Sequence, residues 1–256
     1  MYKIKKKLLN GELVLGTIIS EIRNPNIAYL LAQCGFEFFI IDNEHGTYNY
    51  ETISAMIAAA RGANISVIVR IPEIKRESIL KPLDAGAAGL LVPMVNTAAE
   101  AREVIHHAKY PPMGNRGAAL RRPHNLYAIV NAPDYLQQAN ENTFIAVQAE
   151  TTTSIENISE IAAVEGVDCI FVGPFDLSIS LGVPGQINHP LEVEAIEKIA
   201  VACKKHNKIA GILMFEQEML TRWIKKDFRF AVYSSDITML ADAASNAVKE
   251  LKNVVV

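Results

Sequence analysis

The chain has 256 residues, a formal net charge of −3 from 25 basic and 28 acidic side chains, and 50% apolar residues. This length suits one large domain or two small ones and gives a sizeable core without staples. The slightly acidic balance and the 7% aromatic content exclude nucleic acid as the main partner, and three cysteines exclude a disulfide framework.

Lys3, Lys5, Lys6 and Lys7 open the chain, but the apolar residues after them are broken by Asn10, Gly11 and Glu12, and Leu13–Leu15 stops at Gly16. That pattern reads as a solvated first helix rather than a signal peptide. No apolar run nears the ~20 residues of a membrane span, so the expectation is a cytoplasmic protein. Eight short apolar, β-branched runs follow: Val14–Ile19, Phe36–Ile41, Ser66–Ile71, Gly89–Val95, Thr143–Gln148, Cys169–Gly173, Lys208–Met214 and Phe228–Tyr233. Continuous rather than alternating, they read as parallel strands covered by helices.

Helix signals lie between them. Asn24-Pro25 and His189-Pro190 read as caps with proline at the first helical position. Thr97-x-x-Glu100 and Thr153-x-x-Glu156 read as capping boxes. Asp236 to Lys252 reads as a last, Ala-rich helix. Tyr110–Asn142 is long, rich in Pro, Asn and Arg, and has no clear strand, which marks it as functional or interfacial. Eight strand–helix units match a (β/α)8 TIM barrel, with residues 1–256 as one domain. A doubly wound sheet is the alternative, but Gly16-Thr17-Ile18-Ile19-Ser20 lacks its glycine-rich first turn.

Barrel chemistry sits at the C-terminal strand ends. Read that way, Asp42, Glu44, His45, Arg70, Gln148, Glu150 and Asp176 share one rim. Crowded carboxylates repel unless a cation joins them, and Glu150 with Asp176 suits a hard divalent ion. Both are equally readable as helix caps. Arg70 is readable as an ion-pair partner of Glu44 or Asp42. His106 and His107 read as solvated, Lys75, Lys81 and Lys204 as exposed, and Cys34, Cys169 and Cys203 as buried apolar groups. Arg121 and Arg122 either bind an anion or solvate a loop. No strand ends in lysine, and Lys208 begins its strand at the wrong end, so a Schiff base has no obvious nucleophile. Strands seven and eight lead into no glycine-rich phosphate cradle, and no nicotinamide or flavin fingerprint is present.

Several of these segments together resemble one family: Ile41-Asp42-Asn43-Glu44-His45, Val67-Ile68-Val69-Arg70, Leu91-Val92-Pro93-Met94-Val95, Tyr110-Pro111-Pro112, Arg116-Gly117, Gln148-Ala149-Glu150-Thr151 and Gly173-Pro174-Phe175-Asp176-Leu177-Ser178. In order and spacing they are similar to the HpcH/HpaI aldolases, metal-dependent class II pyruvate aldolases. The resemblance implies that Glu150 and Asp176 hold a divalent ion (Mg2+, Mn2+ or Co2+). It implies that Arg70 contacts the keto oxygen of pyruvate and that His45, polarised by Asp42, is the acid/base group. Gln148 would position substrate, and the Phe175 and Asp176 N–H groups at the Gly173 turn would bind the pyruvate carboxylate. Asp84 would reach in from a neighbouring subunit of a homo-hexamer, a trimer of dimers, with the helix at about 237–252 at an interface. The implied reaction is reversible cleavage of a 4-hydroxy-2-oxo acid to pyruvate and an aldehyde. A related lyase, acting on a dicarboxylic or CoA-linked hydroxy acid or decarboxylating oxaloacetate, is the second reading, and a non-catalytic keto-acid sensor the third. Ala149, Phe175 and residues 121–131 depart from the family pattern. Phe175 with Leu213, Met214 and Phe215 suggests an apolar edge to the mouth, whereas Arg121 and Arg122 suggest an anion.

Overall fold

The computed structural model describes residues 3–254. Eight parallel strands close into a barrel in sequence order. They are β1 Val14–Ile19, β2 Phe38–Asp42, β3 Ser66–Arg70, β4 Gly89–Val92, β5 Phe144–Ala149, β6 Cys169–Val172, β7 Ile209–Met214 and β8 Phe228–Ser235. The helices are α1 Lys3–Leu9, α2 Ile27–Gln33, α3 Tyr50–Gly62, α4 Arg76–Ala85, α5 Ala98–Ala108, α6 Ala132–Asn142, α7 Thr152–Glu156, α8 Ile158–Ala162, α9 Pro174–Ser180, α10 Pro190–Lys205, α11 Gln217–Lys225 and α12 Asp236–Asn253. This is the (β/α)8 barrel that the pattern predicts. Among the described residues no helix is long and apolar enough to cross a membrane.

Side chains alternate across each strand, so every second residue faces the barrel axis. The inward set is Phe38 and Ile40, Ile68, Leu91, Phe144 and Ala146, Cys169 and Phe171, and Phe230 and Val232. Phe38 and Phe230 stack with ring centroids 4.4 Å apart. Gly16 makes that possible, because a Cβ there would lie 2.5 Å from the Phe38 ring. The outward residues pack under the helices as a second, larger cluster.

Several local expectations shift. The first helix is not solvated on all sides: Ile4 and Leu8 are buried in the inner cluster and close the N-terminal end of the barrel. The Asn24 side chain accepts from the Asn26 N–H at 3.0 Å, so a turn precedes α2, which starts at Ile27 rather than Pro25. The second capping box is formed by Thr151 and Ser154 instead of Thr153 and Glu156. Backbone geometry decides it, since Thr151 is the last extended residue before α7. The Thr97–Glu100 box and the His189 cap form at the expected positions. Tyr110–Asn142 is not wholly irregular, because its last third is α6. Cys34 is exposed, whereas Cys169 and Cys203 are buried.

Glu192, in the first turn of α10, is fully buried, and neither carboxylate oxygen has a hydrogen-bond partner among the described residues. Burial pushes its carboxyl up to about 8. The folded state therefore keeps this proton longer than the unfolded chain, whose glutamates titrate near ~4.3. Stability falls as pH rises between those two values. Glu192→Met will raise stability by about 1–3 kcal/mol at pH 8.5 and by much less at pH 5. Thermal melts at the two pH values check this, and equal shifts would contradict it.

Candidate active site

The inward-facing series changes character at the C-terminal ends of the strands. Phe38 and Ile40 are followed by Asp42, Ile68 by Arg70, and Phe144 and Ala146 by Gln148 and then Glu150. Strand polarity and the two-residue period thus place these polar groups on the barrel axis at one mouth. A cavity of about 680 Å³ opens there, with His45, Arg70, Gln148, Gly173, Phe175 and Asp176 on its wall.

Asp42 and Arg70 are register partners on β2 and β3. Arg70 Nε donates to Asp42 Oδ1 at 2.9 Å and Nη2 to Oδ2 at 2.8 Å, a bidentate pair in which Asp42 is buried and Arg70 largely so. Nη1 lies 3.1 Å from Glu44 Oε2. Both readings of Arg70 as an ion-pair partner are therefore realised at once. Burial raises the Glu44 carboxyl, and Arg70 opposes that shift. Asp42 Oδ1 also accepts the backbone N–H of Glu44 at 3.1 Å and of His45 at 3.3 Å. Asp42 thus meets His45 through the main chain, in place of the imidazole contact that the resemblance implies. The His45 side chain is 69% exposed at the mouth, with Nε2 4.0 Å from Glu44.

Glu150 is only 2% exposed. Its Oε1 accepts the Met94 N–H at 2.7 Å and its Oε2 accepts the Gln148 side-chain amide. Met94 has φ 54°, a left-handed conformation that directs its N–H to Glu150. Asn96 braces this turn: its amide donates to Met94 O at 2.9 Å, and Thr151 Oγ1 donates to Asn96 Oδ1. Burial raises the Glu150 carboxyl to about 7, and Asp176 and Glu44 push it the same way. Gln148 Oε1 is buried without a hydrogen-bond partner among the described residues. A Cβ on Gly173 would stand 2.5 Å from Glu150 Oε2 and 2.7 Å from Gln148 Nε2, so glycine is what lets the two strand ends close up. Gly173→Ala will displace Glu150 and cut turnover at least ~10-fold with little change in melting temperature, since a misplacement of about 1 Å is enough; unaltered kinetics would contradict it.

These observations test the fit of a cation. Asp176 stands close enough to raise the proton affinity of both Glu44 and Glu150, all donors are hard oxygens, and one buried amide oxygen is unsatisfied among the described residues. That set fits a divalent ion that takes its remaining ligands from water or substrate. Among the described residues no three His, Cys, Asp or Glu side chains are grouped to hold a metal ion by themselves.

The structure brings Asp42, Glu44, His45, Arg70, Gln148, Glu150, Gly173, Phe175 and Asp176 to one end of the barrel. It does not bring Asp84 there: Asp84 lies on α4 and pairs with Arg116 at 2.7 Å. Arg121 and Arg122 are absent from the cavity wall. Lys208 sits at the opposite end, donating to Val164 O and Val167 O. The Met94 N–H and the Asn96 brace were missed from sequence. Their only signal was Pro93, the residue after β4.

A family model described as HpcH/HpaI aldolase/citrate lyase matches residues 20–243. A hydroxypyruvate/pyruvate aldolase of Roseovarius nubinhibens is 36% identical over 242 residues, covering 94% of this chain and 93% of the relative. A 4-hydroxy-2-oxo-heptane-1,7-dioate aldolase of Escherichia coli is 38% identical over 219 residues, covering 85% and 82%. The crystal structure of an HpcH/HpaI aldolase from Desulfitobacterium hafniense superposes with a TM-score of 0.94 at 34% identity, covering 97% and 96%.

Proposed function

The chain belongs to the HpcH/HpaI aldolase/citrate lyase family of carbon–carbon lyases, and from that premise we propose that it is a divalent-metal-dependent aldolase. It reversibly cleaves a 4-hydroxy-2-oxo acid to pyruvate and an aldehyde. The observation that carries this reading is the buried Glu150 beside Asp176, with the orphaned Gln148 Oε1, at the mouth that Arg70 also faces.

Glu150 and Asp176 would hold the cation, which supplies Lewis acidity toward the oxygens of the 2-oxo acid. Arg70 faces the keto oxygen, held in place by Asp42 and Glu44. Its fixed charge lowers the energy of the enolate as it forms. His45, exposed at the mouth, takes the proton of the C4 hydroxyl. The C3–C4 bond then breaks: C4 becomes the aldehyde carbonyl, and the bonding pair becomes the C2–C3 enolate. A proton delivered to C3 gives pyruvate, and the sum involves no redox change. The N–H groups of Phe175 and Asp176, in the first turn of α9, precede the bond from Leu177 N to Gly173 O, have no backbone partner among the described residues, and would take the pyruvate carboxylate.

Asp84 then serves a neighbouring copy in a homo-hexamer. The exposure of Ile237, Leu240, Val248 and Leu251 along α12 supports an interface there. The test is pyruvate release from a panel of 4-hydroxy-2-oxo acids. Activity will vanish on chelation and return with Mn2+ or Mg2+. Release that ignores chelator would overturn the metal assignment. Absence of release would favour the related lyases, assayed with oxaloacetate and CoA thioesters.

A further inference from the structure

The charges on the cavity wall are not spread evenly. His45, Arg70 and Asp176 stand at the reacting end, and the Arg70 guanidinium is already matched by Asp42 and Glu44. The remaining wall, from α9, the segment after it and the end of β7, is built of Phe175, Ile187, Leu213 and Phe215. Its one ionisable side chain among the described residues is the carboxyl of Glu216.

This wall is held in shape. Ser178 Oγ donates to Phe175 O at 2.6 Å and accepts the Gly185 N–H at 2.8 Å, tying the segment after α9 to the turn that carries Phe175. The Phe175 ring lies beside Gly185, 3.9 Å from where a Cβ would be. Phe175 and Phe215 are 61% and 48% exposed, so two large apolar groups border an open cavity. Aromatic rings left bare at a mouth are covered by what enters it.

The arginines that the sequence offers as anion partners lie elsewhere. Arg121 and Arg122 run into a short turn, Pro123–Asn125, whose His124 lies against Gly86 at the end of α4. Arg23 is hydrogen-bonded to Thr47 and sits over the Tyr48 ring, off the cavity wall. A carboxylate at the far end of an acceptor would be desolvated against aromatic rings and would face Glu216, and among the described residues of the same protomer no cation but Arg70 and His45, at the reacting end, lines the cavity.

Resting on the aldolase reading above, we infer that the acceptor is an uncharged aldehyde with an apolar tail, and that Phe175, Leu213 and Phe215 set this preference. The contrast is with the 4-hydroxy-2-oxo-heptane-1,7-dioate named for the E. coli relative. Cleaving that compound between C3 and C4 gives pyruvate and 4-oxobutanoate, an aldehyde that carries a carboxylate.

The experiment uses the full-length enzyme with Mn2+, in the direction of aldol addition. Pyruvate is offered with 4-methylpentanal or with 4-oxobutanoate, two aldehydes of equal length and branching that differ in a dimethyl or carboxylate end. In parallel, exchange of the pyruvate methyl protons in D2O without aldehyde reports enolate formation alone. The expected result is exchange together with at least a tenfold higher kcat/KM for 4-methylpentanal. In Phe215→Arg that ratio falls tenfold or more, because a cation now faces the tail. Exchange with equal or better use of 4-oxobutanoate by the parent enzyme overturns this inference and leaves the aldolase reading standing. Exchange with an unchanged ratio in Phe215→Arg removes Phe215 from the subsite and overturns its assignment. Absence of exchange overturns the aldolase reading, and this inference with it.

Discussion

Arg70→Ala will lower kcat by about 10²-fold or more, the scale seen when a preorganised donor is removed from a developing oxyanion. The guanidinium does two jobs. Among the described residues it is the one fixed cation on the cavity wall, and it neutralises Asp42 and Glu44. Removing it leaves the buried Asp42 carboxylate with only the backbone N–H groups of Glu44 and His45. Breaking one side of a buried pair costs about 3–5 kcal/mol, so the melting temperature will fall as well. Arg70→Lys separates the two effects. It keeps a positive charge near Asp42 and so recovers much of the stability, but it loses the planar fork and remains slow. Steady-state kinetics and thermal melts on both variants give the answer. Near-normal turnover in Arg70→Ala would remove the residue from the reaction.

The second large effect is expected at Glu150. Glu150→Gln keeps the shape and the Met94 contact but removes a negative charge. Apparent affinity for Mn2+ will drop on the order of 10²-fold, since even outer-shell changes at such centres cost 10–100-fold. Activity will return in part at high Mn2+. The metal-free variant will be at least as stable as the parent, because a buried carboxylate crowded by Asp176 and Glu44 has become a neutral amide. Metal titration by calorimetry on stripped protein, with thermal melts, tests both halves. An unchanged titration would make Glu150 a structural side chain of the Met94 turn and nothing more.

The barrel was legible because its strands are buried on both faces and so read as uninterrupted apolar runs. Asp42, Arg70, Gln148 and Glu150 were legible for a related reason: each breaks such a run at its C-terminal end, where a polar residue has no place in a packed interior. Other features depend on contacts between segments distant in the chain. Beyond Pro93, little around Met94 announces a left-handed residue, because its N–H is fixed by Glu150 from across the barrel mouth. Gly173 looks like a helix N-cap, and only the approach of β5 shows that a methyl group would not fit. Thr151 and Thr153 are equally good caps in sequence, and the end of β5 decides between them. Ile4 and Leu8 were hidden among lysines, and their burial follows from the open end of a barrel that needs covering.

That cover has a kinetic consequence. With Ile4 and Leu8 buried in one cluster with Val14, Phe38 and Phe144, the barrel is, among the described residues, a cul-de-sac that opens at the strands' C-terminal ends. The deep floor at Gln148 and Glu150 fills before the outer wall at Phe175 and Phe215 and empties after it. On the proposed aldolase reading, addition then runs as an ordered queue, the keto acid first in and the aldehyde second, and in cleavage the aldehyde leaves first and pyruvate last.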